Sequence, residues 1–383
     1  ERFDMALVLT EEQSLLKETA NEFLQKNAPI TEFRKLRDEG NADGFSRELW
    51  QEMANLGWTG ILIPEKFGGL DFGYPGLGVI LEETGRTLAA TPLVSTVLLG
   101  CSAIQLGGIP AQCEEFLPTI AKGNCLMALA FEEGAHHAPN RIVTNAKKTS
   151  NGFQIDGEKV LVLDGHVADH LIVAARTSGA ADESDGITLF LVKGDAPGMN
   201  RTRTAMVDSR NSAIVRFNGV EVGKEAVIGE VDQGYRILEQ VLDRGRIGLS
   251  AEMLGSTQEV FGRTIAYLKE RKQFDVPIGS FQALKHRAAW MFCDIELSIS
   301  VVLDALSAID ERSEDVPAMA SLTKARLSDT FFHVSNEAIQ MHGGIGMTDE
   351  ADMGFFLKRA RVTQHLFGDA PYHRNRYALL GGY

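Results

Sequence analysis

The residue types that hold and transform ligands are concentrated between Ala338 and Arg376. His342-Gly343-Gly344-Ile345-Gly346 is a glycine-rich break between two helical patterns, and Leu366-Phe367-Gly368-Asp369-Ala370 is a second loop before a short last helix. Two sharp turns in so short a span, with Arg374 and Arg376 close by, read as a ligand site. Glycine lets a ligand approach the backbone, and guanidinium groups bind phosphate or carboxylate. Asp369-Ala370-Pro371 is also a good helix start, with Asp369 as its cap. The other chemistry-bearing types are scattered. Cys101, Cys113, Cys125 and Cys293 show no C-x-x-C spacing and no neighbouring histidine, which indicates reduced, metal-free cysteines. His136 and His137 are adjacent and lack a third ligand, so no metal is expected there.

Composition narrows the partners. With 38 basic against 52 acidic residues the formal charge is −14, which argues against nucleic acid or an anionic membrane as main partner. No apolar run approaches the ~18 residues of a membrane span. The opening ERFDMALVLTEEQ lacks the basic-then-apolar order of a signal peptide, so a cytoplasmic location is expected, with Met5 as a native start.

The elements that must position these residues fall into three blocks. Residues 1–124 read as helical: Thr10-Glu11-Glu12-Gln13 is a capping box, and helices are expected over Ser46–Leu56 and Gly76–Leu88. Between those two helices, Gly57 to Gly69 is an apolar segment ended by Pro64 and two glycines, serving either a turn or a ligand. Residues 125–232 switch to short strands, with hairpin signals at Asp156-Gly157 and Asn218-Gly219, predicting a compact antiparallel barrel or sandwich. Residues 233–383 return to helical spacing. Ile247, Leu254, Phe261 and Leu268 fall seven apart, and Leu284 to Ile309 keeps a 3–4 spacing, predicting a four-helix bundle. The fold class is therefore α+β, and no G-x-G-x-x-G follows a strand as a dinucleotide-binding sheet requires.

This order, with three motifs in sequence, resembles the acyl-CoA dehydrogenase family over essentially the whole chain. Gly60-Ile61-Leu62-Ile63-Pro64-Glu65-Lys66-Phe67-Gly68-Gly69 is similar to the family's first signature. Arg271-Lys272-Gln273-Phe274-Asp275-Val276-Pro277-Ile278-Gly279-Ser280-Phe281-Gln282 resembles R-x-Q-F-G-x-P-I-x-x-F-Q, with Asp275 in place of a usual glycine. Gln340-Met341-His342-Gly343-Gly344-Ile345-Gly346 resembles Q-x-x-G-G-x-G. The resemblance implies an FAD enzyme that removes two hydrogens from the α and β carbons of an acyl-CoA thioester. A carboxylate takes the α-proton, and hydride passes to the flavin. It implies that Arg271, Phe274, Gln282, Gln340, Gly343 and Gly344 contact FAD across a subunit boundary in a homo- or hetero-oligomer, a dimer of dimers. It places Arg246, with Asp243 nearby, at the substrate's thioester end. It implies an electron-transferring flavoprotein as acceptor.

Departures from the family pattern shape the expectation. The T-E-P-x-A-G-S-D segment corresponds to Phe131–Ala138, so a hydroxyl is replaced by Phe131 and a Gly-Ser pair by His136-His137. The next flavin segment, W-I-T, corresponds to Leu161-Val162-Leu163. The family's catalytic Glu corresponds to Phe367, and its alternative position to Gly245. Asp369, two residues on, is the candidate base within the loop. Loss of both Glu positions also matches the non-catalytic partner of heteromeric members that act on bulky or dicarboxylic acyl-CoAs. A flavin oxidoreductase acting on a non-CoA substrate is the remaining alternative.

Overall fold

The computed structural model describes residues 8–383; Met5 lies outside them. Helix α1 (Glu11–Asn27) starts at the capping box read from sequence, Thr10 and Gln13 exchanging side-chain and backbone hydrogen bonds. The other N-terminal helices are α2 (Ile30–Glu39), α3 (Arg47–Asn55), α4 (Gly73–Thr87), α5 (Cys101–Gly107) and α6 (Pro110–Ala121). A π-helical turn, Leu93–Gly100, leads into α5. In the segment Gly60–Gly69 the glycines answer to local geometry. Gly68 is left-handed (φ 82°), and a Cβ on Gly69 would lie 2.0 Å from the Ile63 carbonyl oxygen.

The chain divides into two compact units. One contains the residues up to Asp38, Tyr74–Ala89 and Arg246–Tyr383; the other contains Glu39–Gly73 and Ala90–Gly245. The second unit holds the sheet, made of β1 (Met127–Ala130), β2 (Asn145–Lys148), β3 (Gly152–Leu163), β4 (His170–Arg176), β5 (Ile187–Lys193), β6 (Met199–Ala205), β7 (Asn211–Gly223) and β8 (Val227–Ile228). Their order is β6-β7-β3-β2-β4-β5-β8, with β1 added beside β4. Phe153, Ile155, Val162, Phe190, Val215 and Phe217 fill its core. The expected antiparallel arrangement needs one amendment: β1 and β2 both pair with β4 in parallel, so the sheet is mixed.

Both expected hairpins are absent. Asp156-Gly157 and Asn218-Gly219 lie inside β3 and β7, where two opposed residues form a β-bulge. Gly219 adopts φ 64° and donates its N–H to Asp156 Oδ1 at 2.7 Å, so the turn-type residues serve a bulge instead of a reversal. A second bulge follows where β3 carries the extra residue, between Lys159 and Val162, with Leu161 at φ 52°.

The first unit is helical. The chain enters it within α7 (Gly234–Glu270), and a two-stranded hairpin, β9 (Lys272–Gln273) and β10 (Val276–Pro277), follows that helix. Then come α8 (Gln282–Asp310), α9 (Val316–His342), α10 (Met353–His365) and α11 (Ala370–Leu380), with α9 packed by the other three. The 3–4 spacing read in sequence places Met291, Ile295, Val302, Leu306 and Ile309 of α8 in the core, as expected for a helix with one buried stripe. Glycine allows a closer crossing between α4 and α7. A Cβ at Gly85 would lie 2.0 Å from the Glu252 carbonyl oxygen, and one at Gly255 would lie 1.7 Å from that of Glu82.

Candidate functional site

The turn between α10 and α11 brings together several residues singled out by the sequence. Phe367 (φ 60°) and Gly368 (φ 104°) are both left-handed. For a bulky residue such as Phe367 this costs about 1–3 kcal/mol, which neighbouring contacts must offset. Arg246 Nε donates to the Phe367 carbonyl oxygen at 3.2 Å, and His373 Nε2 lies 3.0 Å from the same atom. His373 therefore carries its proton on Nε2, while Nδ1 faces Ser321 Oγ at 3.4 Å. Arg246 is fully buried, with its guanidinium carbon 5.8 Å from the centre of the Tyr372 ring. Asp369 is the N-cap of α11: its Oδ1 accepts from the Tyr372 N–H at 2.9 Å, and its own carbonyl accepts from His373 N. Asp243 is buried in α7, one helical turn before Arg246, but belongs to the other compact unit.

The two segments expected to hold FAD meet at the end of α7. The hairpin turns at Phe274 (φ 55°) and Asp275 (φ 64°), the double left-handed turn that tight hairpins favour. Asp tolerates that conformation, which accounts for its standing where the family pattern has glycine. Arg271 is anchored by its backbone, N–H to the Tyr267 carbonyl and carbonyl from the Ile278 N–H, leaving its side chain exposed. Tyr267 stacks on His342, ring centres 4.4 Å apart, and its hydroxyl donates to the His342 carbonyl. That contact sets the hairpin beside the glycine turn. Gly343 ends α9 at φ 65°, its N–H bonded to the Gln340 carbonyl. Gly344 has an ordinary φ, and a Cβ there would meet no atom of the chain within 4 Å. Nothing in this chain demands glycine at 344, and its open face leaves room for a group approaching from outside. Exposed Arg271, exposed Gln340 and this open glycine face fit a pyrophosphate and its adenosine. Gln282 is exposed at the start of α8.

The segments matched to the flavin ring end also come together, within the sheet unit. Phe131 is buried against the His137 ring, and His137 Nδ1 is in close contact with Glu132 Oε1. The Val160 N–H, at the second bulge, donates to the Glu132 carbonyl at 2.8 Å. Lys159 is fully buried, donating to Glu133 Oε1 at 2.7 Å and to the Phe131 carbonyl at 3.2 Å. Burial pulls the amine down to about 8, with Glu133 opposing the shift. Glu133 is held below the usual carboxylate range despite its own burial, chiefly by the Lys159 charge. It also accepts the N–H groups of Val143 and Thr144. Neither histidine takes part in a metal cluster: among the described residues no three His, Cys, Asp or Glu side chains converge.

Sequence reasoning missed Lys159, Glu133, Lys324 and His373. Lys324 is fully buried on α9, its Nζ donating to the carbonyls of Gly368 (2.9 Å) and Gln364 (3.2 Å) and to Ser328 Oγ (3.1 Å). The available signal was its place on the uncharged, buried face of Ala320, Ser321, Leu327 and Ser328, where a lysine has no solvent to reach.

Family models for the N-terminal, middle and C-terminal domains of acyl-CoA dehydrogenases match residues 10–124, 129–220 and 232–378. The chain belongs to the acyl-CoA dehydrogenase family. It is accordingly an oxidoreductase of the FAD-dependent class that dehydrogenates acyl-CoA thioesters. Probable acyl-CoA dehydrogenase YngJ of Bacillus subtilis is 30% identical over 368 residues, 94% of this chain and 95% of that one. The structure of butyryl-CoA dehydrogenase from Megasphaera elsdenii superimposes with a TM-score of 0.92 at 26% identity, covering 99% of this chain and all of that one (100%). A variant of the steroid ACAD Tcur3481-Tcur3483 does so with 0.88 at 27% identity, covering 97% and 98%. Among the described residues no helix is long and apolar enough to cross a membrane.

Proposed function

We propose that this chain works as one subunit of an acyl-CoA dehydrogenase assembly in which a second, homologous subunit supplies the proton-abstracting carboxylate. Phe367 carries this reading. Where the resemblance expects glutamate there is a buried hydrocarbon ring, on a backbone whose carbonyl is held by Arg246 and His373. Gly245 leaves the alternative position without a side chain, and Asp369 is engaged as a helix cap. The name of the steroid ACAD neighbour joins two components, in keeping with this arrangement.

In this reading Arg271, Phe274 and Gln282, with Gln340, Gly343 and Gly344, hold the adenine and pyrophosphate end of a cofactor shared with a neighbouring subunit. FAD, when bound, supplies the hydride acceptor. Arg271 offsets pyrophosphate charge, and the glycine turn brings backbone against it. Arg246 and Asp243 serve the thioester end, where donors must stabilise the oxygen as the α-proton leaves. Phe274, Trp290 and Met347 are exposed large apolar side chains near the cofactor segments or on α8, suited to burial between subunits. The division we propose is 1–124, 125–232 and 233–383 as helical, β and bundle domains. We also propose a cytoplasmic location and an electron-transferring flavoprotein as acceptor.

A second reading keeps the chemistry in this chain, with Asp369 as the base. It is favoured by the cap geometry, which engages only Oδ1 of a half-buried carboxylate. Purifying the chain alone and together with a homologous neighbour, then recording flavin absorbance and its bleaching by a panel of acyl-CoAs, separates the two. Colourless protein that becomes yellow and reducible only with the partner supports the first. Yellow protein that is reduced alone, and loses reduction but not FAD on Asp369→Asn, overturns it in favour of the second.

A further inference from the structure

We propose that Lys324 is a positioning residue, fixing the 364–369 turn through a complete set of hydrogen bonds in either protonation state. This rests on the reading that the turn lies at the reacting end of the substrate. The Nζ touches three acceptors: the Gln364 carbonyl at the end of α10, the Gly368 carbonyl across the turn, and the Ser328 hydroxyl on its own helix. An ammonium has three N–H groups, and here each has one acceptor. A neutral amine has two N–H groups and a lone pair. Turning the Ser328 hydroxyl round, so that it donates to Nζ, satisfies that form as well while both carbonyl contacts persist.

The arrangement resembles a strut more than an ion pair. The carboxylate that favours the charge is Asp369, acting by field, while Arg246 on α7 opposes it. Two further titratable groups stand at the turn: His373 on α11, directed at Phe367, and exposed His365 at the end of α10. Lys324 thus joins the last turn of α10 to Gly368, on the far side of the left-handed Phe367. Arg246 and His373 hold the carbonyl of Phe367 itself. Three basic side chains from three helices are directed at the carbonyls of one turn, so it is held by its backbone whatever side chain occupies 367. Burial brings the amine down to about 7, so the proton comes and goes near neutrality beneath a turn that keeps its contacts.

The test uses Lys324→Met, matched in length and without donors, in the FAD-loaded assembly. Hydrogen exchange of peptides spanning 362–376 and the rate of flavin reduction by acyl-CoA in a single turnover are measured on the same preparation. The expected result is at least tenfold faster exchange in that peptide and at least tenfold slower reduction. FAD content and acyl-CoA affinity stay within threefold, which a general loss of structure does not produce. Exchange within twofold of wild type, or faster exchange with unchanged reduction, overturns the proposal. If no acyl-CoA reduces the wild-type assembly, the functional reading has failed, and the exchange result alone decides whether Lys324 holds the turn. Lys324→Gln, which keeps one donor group, is read in the same way should the methionine variant not fold.

Discussion

Arg246 Nε reaches the Phe367 carbonyl oxygen at 3.2 Å, so the strongest donor near the family's base position is directed at backbone. Asp369 is consequently the carboxylate of that turn, and its roles as cap and as base are separable by substitution. Asp369→Asn keeps a capping side chain, so stability changes by less than about 0.5 kcal/mol, whereas Asp369→Ala loses about 1 kcal/mol by urea unfolding. With the base on a second subunit, Asp369→Asn leaves single-turnover flavin reduction within threefold of wild type.

The Lys324 amine gives stability a distinctive pH dependence. Its folded pKa, about 7, lies below the ordinary 10.5 because burial disfavours the charge, Arg246 adding to the effect and Asp369 opposing it. Below pH 7 both folded and unfolded chains carry the proton. Between about 7 and 10.5 the unfolded chain keeps it and the folded chain does not, so stability rises with pH, by at most about 1.4 kcal/mol per unit. Urea titrations at pH 6.5, 8 and 9 should show wild type gaining on Lys324→Met as pH rises. A constant difference across the three would contradict the assignment.

In the sheet unit, removing one member of the Lys159–Glu133 pair strands the other. Glu133→Gln leaves the amine buried without its counter-charge, an expected loss of about 3 kcal/mol at pH 7 by thermal or urea unfolding. Adding Lys159→Met recovers most of that loss, since hydrocarbon replaces a charge with nothing left to pair. An additive double variant would mean that the two groups do not interact.

The cofactor segments predict a separation of stability from binding. Gly344→Ala meets no atom of this chain and no unfavourable φ, so the melting temperature of the isolated chain stays within about 2 °C. In the proposed assembly the added methyl would face the cofactor, and FAD retention on gel filtration should fall at least tenfold. Arg271→Gln should likewise weaken FAD at least tenfold, more so at low salt, where the lost charge interaction is least screened.

The long periodic helices were legible because a 3–4 spacing over many turns has one structural solution; Leu284 to Ile309 is the example. The family motifs were legible because they combine glycine with fixed neighbours. Asp156-Gly157 misled because the residues that allow a reversal also allow a bulge, and only pairing to β7 distinguishes them. Lys324 and Lys159 were invisible for a related reason. A lysine reads as solvated until the fold shows that the surrounding carbonyls and carboxylate converge on it.

The two bulges between β3 and β7 have opposite sense. The first gives β7 an extra residue at 218–219, and the second gives β3 one at 160–161. Before the first, Ile155 pairs with Val220; between them, Lys159 pairs with Val215; beyond the second, Val162 pairs with Ala213. Like a pair of opposite dislocations in a crystal, they cancel, and the lattice on either side is undisturbed. Deleting Leu161 or Gly219 singly would remove one bulge and leave the other, with Lys159 and Val162, or Phe217 and Val220, still on the buried face. Deleting both would heal the ladder. The core would survive, while Leu161, the exposed side chain this defect presents at the flavin-matched segment, would be lost.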